Sequence, residues 1–115
     1  MKLSFRICLM FILVGAGALI FTRGSEAAPQ DSAGDLFKAK CSMCHGPDGK
    51  GFSAIKTPNF TDPKWQASRK DKEIEDTIKS GKKDTMMKGF GDRLKEGEID
   101  SLVKYIRSLD SSKKK

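Results

Sequence analysis

The chain of 115 residues has one histidine, one tryptophan, one tyrosine and three cysteines. One of those cysteines, Cys8, lies in an N-terminal apolar run, which leaves Cys41 and Cys44 for any folded domain. These two are too close together to close a useful disulfide loop, so a disulfide-stapled scaffold is excluded. One histidine and two cysteines also fall short of the four donors of a structural zinc site. No stretch alternates apolar and polar residues over a useful length, which removes the signal for a sheet. The longest apolar run, from Ile7 to Phe21, is shorter than the ~20 residues of a membrane-spanning helix. Finally, 22 basic residues stand against 15 acidic ones, but the excess is scattered apart from Lys113-Lys114-Lys115. Nucleic-acid binding calls for a concentrated basic stripe with stacking aromatics, and neither is present.

What is present begins with a leader. Lys2 and Arg6 precede the apolar run, and Ser25-Glu26-Ala27 follows it with small residues where a signal peptidase reads them. Residues 1–27 are therefore expected to be a cleaved secretory signal, with an uncleaved membrane anchor as the alternative. Residues 28–115 are expected to form one domain. Cys8 lacks the small-residue context of a lipoprotein cleavage site and reads as apolar filler of the signal. Cleavage after Ala27 leaves 88 residues, of which 19 are basic and 14 acidic, a net charge of +5. A domain of that size buries a modest core and commonly depends on disulfides, metals or cofactors. With disulfides excluded, a bound group has to complete the core.

Along the domain, a first helix is expected from Asp31 or Ser32, either of which can cap it, to about Cys41. Ala33, Leu36, Phe37 and Lys40 would share one stripe. Gly46 to Pro63 is rich in turn-forming residues and reads as a long irregular loop. Ile74 and Ile78 write a second helix, closed by Gly81, whose other face carries Lys72 with Asp76 and Glu75 with Lys79. A second loop runs from Lys82 to Lys95. Ile99, Leu102, Val103 and Ile106 sit at i, i+3, i+4 and i+7 and define the last helix. The expectation is an all-α fold, about three helices with long loops. Loops this long in a small domain wrap something.

The strongest chemical signal is Cys41-Ser42-Met43-Cys44-His45. Two thiols separated by two residues and followed at once by histidine form the attachment signature of haem c. At a helix end both sulfurs can reach the vinyl groups on one porphyrin edge, and the next residue offers an imidazole nitrogen to the iron. A dithiol oxidoreductase also uses Cys-x-x-Cys, but on a βαβ scaffold that this sequence does not encode. Because His45 is the single histidine, ligation by two histidines is excluded. Among soft ligands, Met1 and Met10 leave with the signal and Met43 is pinned inside the motif. Met86 and Met87 remain for the sixth position, and this elimination does not choose between them.

At this point the chain resembles the class I c-type cytochromes over residues 33–109. The resemblance is carried by Phe37 four residues before Cys41, by Cys41–Gly46 and by Thr57-Pro58-Asn59-Phe60. It continues with a middle helix ending at Gly81, with Met87-Lys88-Gly89-Phe90, and with Tyr105-Ile106-Arg107-Ser108-Leu109. It implies a small cytochrome c-like fold wrapped round one covalent haem c, with His45 and Met87 as metal ligands, since the family's ligand Met stands three residues before an aromatic. It further implies that the Pro58 carbonyl accepts the free imidazole N–H, that Phe60 packs on the haem, and that the Trp65 indole meets a haem propionate. The first and last helices would cross near Ala33, Phe37 and Tyr105. Two residues depart from the pattern. Lys88 stands where proline usually follows the ligand Met, which predicts a less rigid loop, and Ala33 stands where glycine is common at the crossing.

The function expected is one-electron transfer through a His/Met-ligated haem, with no enzymatic activity, because both axial positions are filled. The alternatives are a haem-bearing subunit of an oxidase or dehydrogenase complex, and a haem enzyme or gas-binding protein with a labile sixth ligand. The expected setting is the periplasm, with membrane attachment only if the leader is retained. The expected partners are redox proteins with acidic docking faces, met by a monomer; the family resemblance implies an exposed haem edge near Lys50, Lys56, Lys82, Lys83 or Lys88. A small chain with no disulfide network predicts that the haem-free protein is largely unfolded. Circular dichroism of a Cys41→Ala, Cys44→Ala double variant tests this, and native helicity without bound haem refutes it.

Overall fold

The computed structural model describes residues 30–114, with five α-helices: α1 (Gln30–Lys40), α2 (Ser42–His45), α3 (Pro63–Ser68), α4 (Asp71–Ser80) and α5 (Glu96–Ser108). Single 3-10 turns occur at Ser53–Ile55 and Ser111–Lys113. The expected leader, Cys8 and Lys115 lie outside the described residues. Among the described residues no helix is long and apolar enough to cross a membrane. None of them forms a strand, and one isolated antiparallel bridge joins Gly81 to Lys88. The all-α expectation holds.

Three of these helices were expected, and their ends follow local chemistry. Helix α1 begins at Gln30, slightly ahead of the anticipated Asp31 or Ser32, a difference within the ordinary fraying of helix ends. The caps of α4 and α5 are alike. A lysine occupies each N-cap and has no side-chain oxygen to offer, so the acid three residues on reaches back instead. Glu73 accepts the Lys70 N–H at 2.8 Å, and Glu98 accepts the Lys95 N–H at 2.8 Å. Asp71 and Glu96 add further negative charge in the first turns, where the helix dipole favours it.

The two helices not expected are short. α2 is an extra turn that continues α1 past a bend at Cys41: the Cys41 N–H still donates to Phe37, while the His45 N–H donates back to Cys41. α3 interrupts what reads as loop. Asp62 caps it, accepting the Lys64 N–H at 2.9 Å, and Pro63 fills the first position, where its missing N–H costs nothing.

The core lies where α1 and α4 pack on α5. Phe37, Ile99 and Leu102 are about fully buried, joined by Ile74, Ile78, Val103, Ile106, Leu109 and Phe60. Each such side chain contributes roughly 1.5–3 kcal/mol by leaving water. The α1–α5 crossing is at the predicted residues, with the Phe37 and Tyr105 rings 5.2 Å apart and Ala33 buried. Gly34 is the glycine of this crossing, since a Cβ there would come within 3.3 Å of the Tyr105 ring. The expected charged face on α4 forms too, with Lys72 2.7 Å from Asp76 and Lys79 2.6 Å from Glu75.

Lys79 also reaches Glu96 at 2.6 Å, so the end of α4 is tied to the start of α5. The hydrogen bond from Lys79 holds the Glu75 carboxyl below its ordinary value of 4.5. A depressed carboxyl contributes stability that is full above the ordinary value and is lost as pH falls through the folded one. The stability difference between the native protein and Glu75→Gln should therefore shrink as pH drops below about 4.5, which acid-unfolding curves measure. A gap independent of pH over that range refutes the coupling.

Candidate functional site

His45 ends α2 at the mouth of a loop that folds back on it. The Gly51 N–H donates to the His45 carbonyl at 2.8 Å, and the Phe60 N–H donates to Gly49 at 2.8 Å. Gly51 has φ +71°, and a Cβ there would meet the Pro58 carbonyl oxygen at 2.6 Å. Only glycine allows both that dihedral and that approach. Thr57 closes the loop's outer arm, its hydroxyl accepting the Phe52 N–H at 2.7 Å. The Phe60 ring is thereby laid almost flat on the imidazole, 4.8 Å away at 20°.

The imidazole is 8% exposed, and its Nδ1 is fully buried without a hydrogen-bond partner. The bond expected from this nitrogen to the Pro58 carbonyl is not formed in this structure. Burial lowers the His45 pKa below 6.5, so at neutral pH the ring is uncharged and keeps a free lone pair. A buried polar atom without a partner marks a place that calls for an explanation.

The Cys41 thiol has the character of a structural group and not of a redox nucleophile. Cys41 packs against the core, and burial, then the charge of Cys44, pushes its thiol up to about 11. Nucleophilic Cys-x-x-Cys pairs show the opposite shift, because the thiolate is the attacking species. Among the described residues, no three of His, Cys, Asp and Glu converge to hold a metal ion. The soft donors are one imidazole, two thiols and the methionines.

The methionine loop is built on the C-terminus of α4. The orphan carbonyls there are taken by the loop itself: Ile78 accepts from the Phe90 N–H at 2.8 Å, and Lys79 from the Gly91 N–H at 3.0 Å. Lys82 N–H donates to the Met87 carbonyl at 3.1 Å, closing a short hairpin. Within it Met86 is 76% exposed, whereas Met87 is half-buried. Lys88 supplies no proline ring, yet these backbone bonds close the loop where such a ring would have stiffened it. Trp65 is half-buried on α3, its ring 4.8 Å from Phe60 at 53°.

Cys41, Cys44, His45, Phe60 and Trp65 thus form one neighbourhood, while Met87 belongs to a separate hairpin anchored on α4. Sequence reasoning missed Gln66 and Arg107. Gln66 is buried, and Arg107 links it to Asp71 at 2.6 Å and to the Arg69 carbonyl at 2.5 Å. Gln66 carries no motif, and the run Tyr105–Leu109 holds Arg107 without marking its partners; the available signal was Asp62-Pro63, which starts the helix that bears Gln66.

A neutral buried imidazole with an unpartnered nitrogen, directly after two thiols on one helical turn, fits a haem group. Fold and site together define a class I c-type cytochrome. The chain matches the family described as cytochrome c oxidase, cbb3-type, subunit III, over residues 28–106, and it belongs to that family. It is 33% identical over 90 residues to the cbb3-type cytochrome c oxidase subunit FixP of Azorhizobium caulinodans, covering 74% of this chain and 30% of that protein. It is 35% identical over 91 residues to the subunit CcoP of Rubrivivax gelatinosus, covering 76% and 30%. The chain therefore spans about 30% of the length of these relatives. Among solved structures, the KustC0563 c-type cytochrome superposes with a TM-score of 0.63 at 30% identity, covering 68% of this chain and 96% of that one. Cytochrome cL of Methylophaga aminisulfidivorans gives 0.60 at 26% identity, covering 79% and 58%. Haem c and electron transfer are the cofactor and chemistry of this class.

The hairpin's geometry is tight enough to test. A Cβ at Gly81, where φ is +76°, would lie 2.6 Å from the Met87 carbonyl oxygen, and one at Gly89 would collide with the Lys79 carbonyl. Gly81→Ala should preserve helicity while speeding amide hydrogen exchange at Lys82, whose N–H pairs with Met87 across the turn. A folded variant with unchanged exchange there refutes the role assigned to this turn.

Proposed function

We propose that the chain carries one electron at a time through a single haem c, joined by thioethers at Cys41 and Cys44, with His45 and Met87 as axial ligands. When bound, that group supplies an iron centre that alternates between ferric and ferrous states. His45 contributes a neutral imidazole, kept uncharged by burial. Met87 contributes a thioether, a soft donor that favours the ferrous state and raises the potential. Phe60 and Trp65 exclude water on the histidine side; Trp65 would place its indole towards a propionate, and Pro58 would take the imidazole N–H. The observation that supports this reading most is the buried, unpartnered nitrogen of His45, which directly follows the Cys41-x-x-Cys44 pair.

With two side chains filling the axial positions, substrate has no route to the metal, and the reading is of a carrier and not an enzyme. Lys56, Lys82, Lys83 and Lys88 are exposed and would steer acidic redox partners, mainly by raising the on-rate. Lys50 contributes less than the others, because Asp48 lies 3.3 Å from its amine. Haem attachment at such motifs belongs to the periplasm, which accords with reading residues 1–27 as an export signal. A second reading, a fixed haem-bearing subunit of an oxidase, is favoured by the names of the relatives above.

Met86 sits in the bend of the hairpin and is 76% exposed, whereas Met87 is half-buried, so Met87 is the better placed of the two to face the iron. Met87→Ala should abolish the Met–iron band, lower the potential and open the iron to small ligands, whereas Met86→Ala leaves the band in place. Spectra at neutral and alkaline pH separate true loss from capture of the site by the Lys88 amine. Loss of the band in Met86→Ala alone moves the ligand by one residue; its absence from the native protein overturns His/Met ligation.

A further inference from the structure

Met87 owes its place to the hairpin that carries it, and the two halves of that hairpin are held differently. Before the residue, the Thr85 hydroxyl donates to the Lys82 carbonyl at 2.8 Å and accepts the Met87 N–H at 3.2 Å. After it, the segment Lys88-Gly89-Phe90 has to bring the chain back to α4, and Lys88 stands where a proline would limit the turn. The Phe90 N–H reaches the Ile78 carbonyl, but no backbone N–H of the described loops takes the Gly89 carbonyl.

A side chain takes it instead. The chain makes one turn after Phe90, whose carbonyl accepts the N–H groups of Arg93 and Leu94, each at 2.9 Å. That turn brings Arg93 back over the segment. Its Nη2 donates to the Gly89 carbonyl at 3.0 Å, and its guanidinium carbon lies 4.5 Å from the centre of the Phe90 ring. Phe90 is itself half-buried and packs against the core. The guanidinium therefore closes over a ring that the core already holds, and it fixes the carbonyl next to that ring. Lysine could not do both, since its ammonium is a point charge with no planar fork to lie on a ring while donating sideways. Gly89 is two residues from Met87, so freedom at its peptide becomes freedom of the Met87 backbone.

We infer that Arg93 is a positioning residue for Met87: its guanidinium straps the Gly89 carbonyl to the Phe90 ring and holds closed the half of the hairpin where proline is missing. The inference rests on Met87 being an axial ligand. A thioether leaves the iron when its hairpin opens, and a small neutral ligand such as imidazole enters the ferric haem through that opening. The rate of imidazole entry therefore reads how firmly the hairpin is held. A residue that only stabilises the fold moves the melting temperature and leaves that rate alone.

The experiment uses the haem-loaded protein at neutral pH and three variants: Arg93→Met, Arg93→Lys and, as a control on α1, Leu36→Ala. Arg93 is exposed, so its replacements should fold. Arg93→Met keeps an unbranched apolar stem and removes both the donor and the cation. It should speed imidazole entry roughly two- to fivefold, the worth of one exposed cation–π contact. Arg93→Lys should keep most of that acceleration, although it restores the charge. Leu36→Ala removes a side chain packed on the core, and should lower the melting temperature while the rate stays native. A native rate in Arg93→Met overturns the inference, and a native rate in Arg93→Lys does so too, by assigning the effect to charge alone. An acceleration in Leu36→Ala as large as that in Arg93→Met also overturns it, because entry then follows global stability. Absence of the Met–iron band from the native protein refutes the ligand reading instead, so the two failures are told apart.

Discussion

Everything near the site depends on keeping one imidazole buried, neutral and pointed. His45 is the single histidine, so no second residue can substitute for it. Burial keeps it neutral, and burial takes a segment that covers the ring. The chain supplies one in a loop that turns tightly enough to return to it. Gly51 lets that loop close on the His45 carbonyl, and the same closure brings Phe60 over the imidazole. Backbone hydrogen bonds and an aromatic plane therefore do what a disulfide does in other small domains.

The parts of the fold that repeat locally were legible in the sequence. Ile99, Leu102, Val103 and Ile106 carry helical spacing over two turns, and the buried face of α5 is those residues. Cys41 to His45 was legible because its chemistry demands that spacing. Helix α3 was not read, although Asp62-Pro63 is a sound start signal, because six residues carry too little periodicity to stand out from a turn-rich stretch. Gln66 and Arg107 were illegible for a different reason. Their partnership spans 41 residues of sequence, and no local rule marks a buried amide that satisfies carbonyls from two distant segments.

The methionine pair shows where elimination stops and geometry begins. Sequence alone left Met86 and Met87 equivalent as soft donors, and resemblance to the family chose Met87. In the fold the two differ by exposure: Met86 lies in the bend of the hairpin between Gly81 and Lys88, while Met87 is half-buried next to the bridge. The Pro58 expectation has the converse history. Its motif is intact, yet the His45 ring lies along Phe60 and its Nδ1 has no partner, so the sequence supplied the acceptor without determining the ring's rotation.

Lys88 completes this logic. Proline at that position would stiffen a ligand loop by fixing one dihedral angle. Here the loop is instead fixed from outside itself, because α4 ends with unpaired carbonyls and the loop's own N–H groups are the nearest donors. Phe90 and Gly91 take the last of them, and Lys82 pairs with Met87 across the turn. The same end of α4 is tied to α5 through Lys79 and Glu96. The Met87 hairpin therefore rests on the helix pair that forms the core, and the His45 loop is joined to that pair through Gln66 at the last turn of α5. Both candidate ligands are thus referred to one rigid element, the helix whose sequence pattern is clearest.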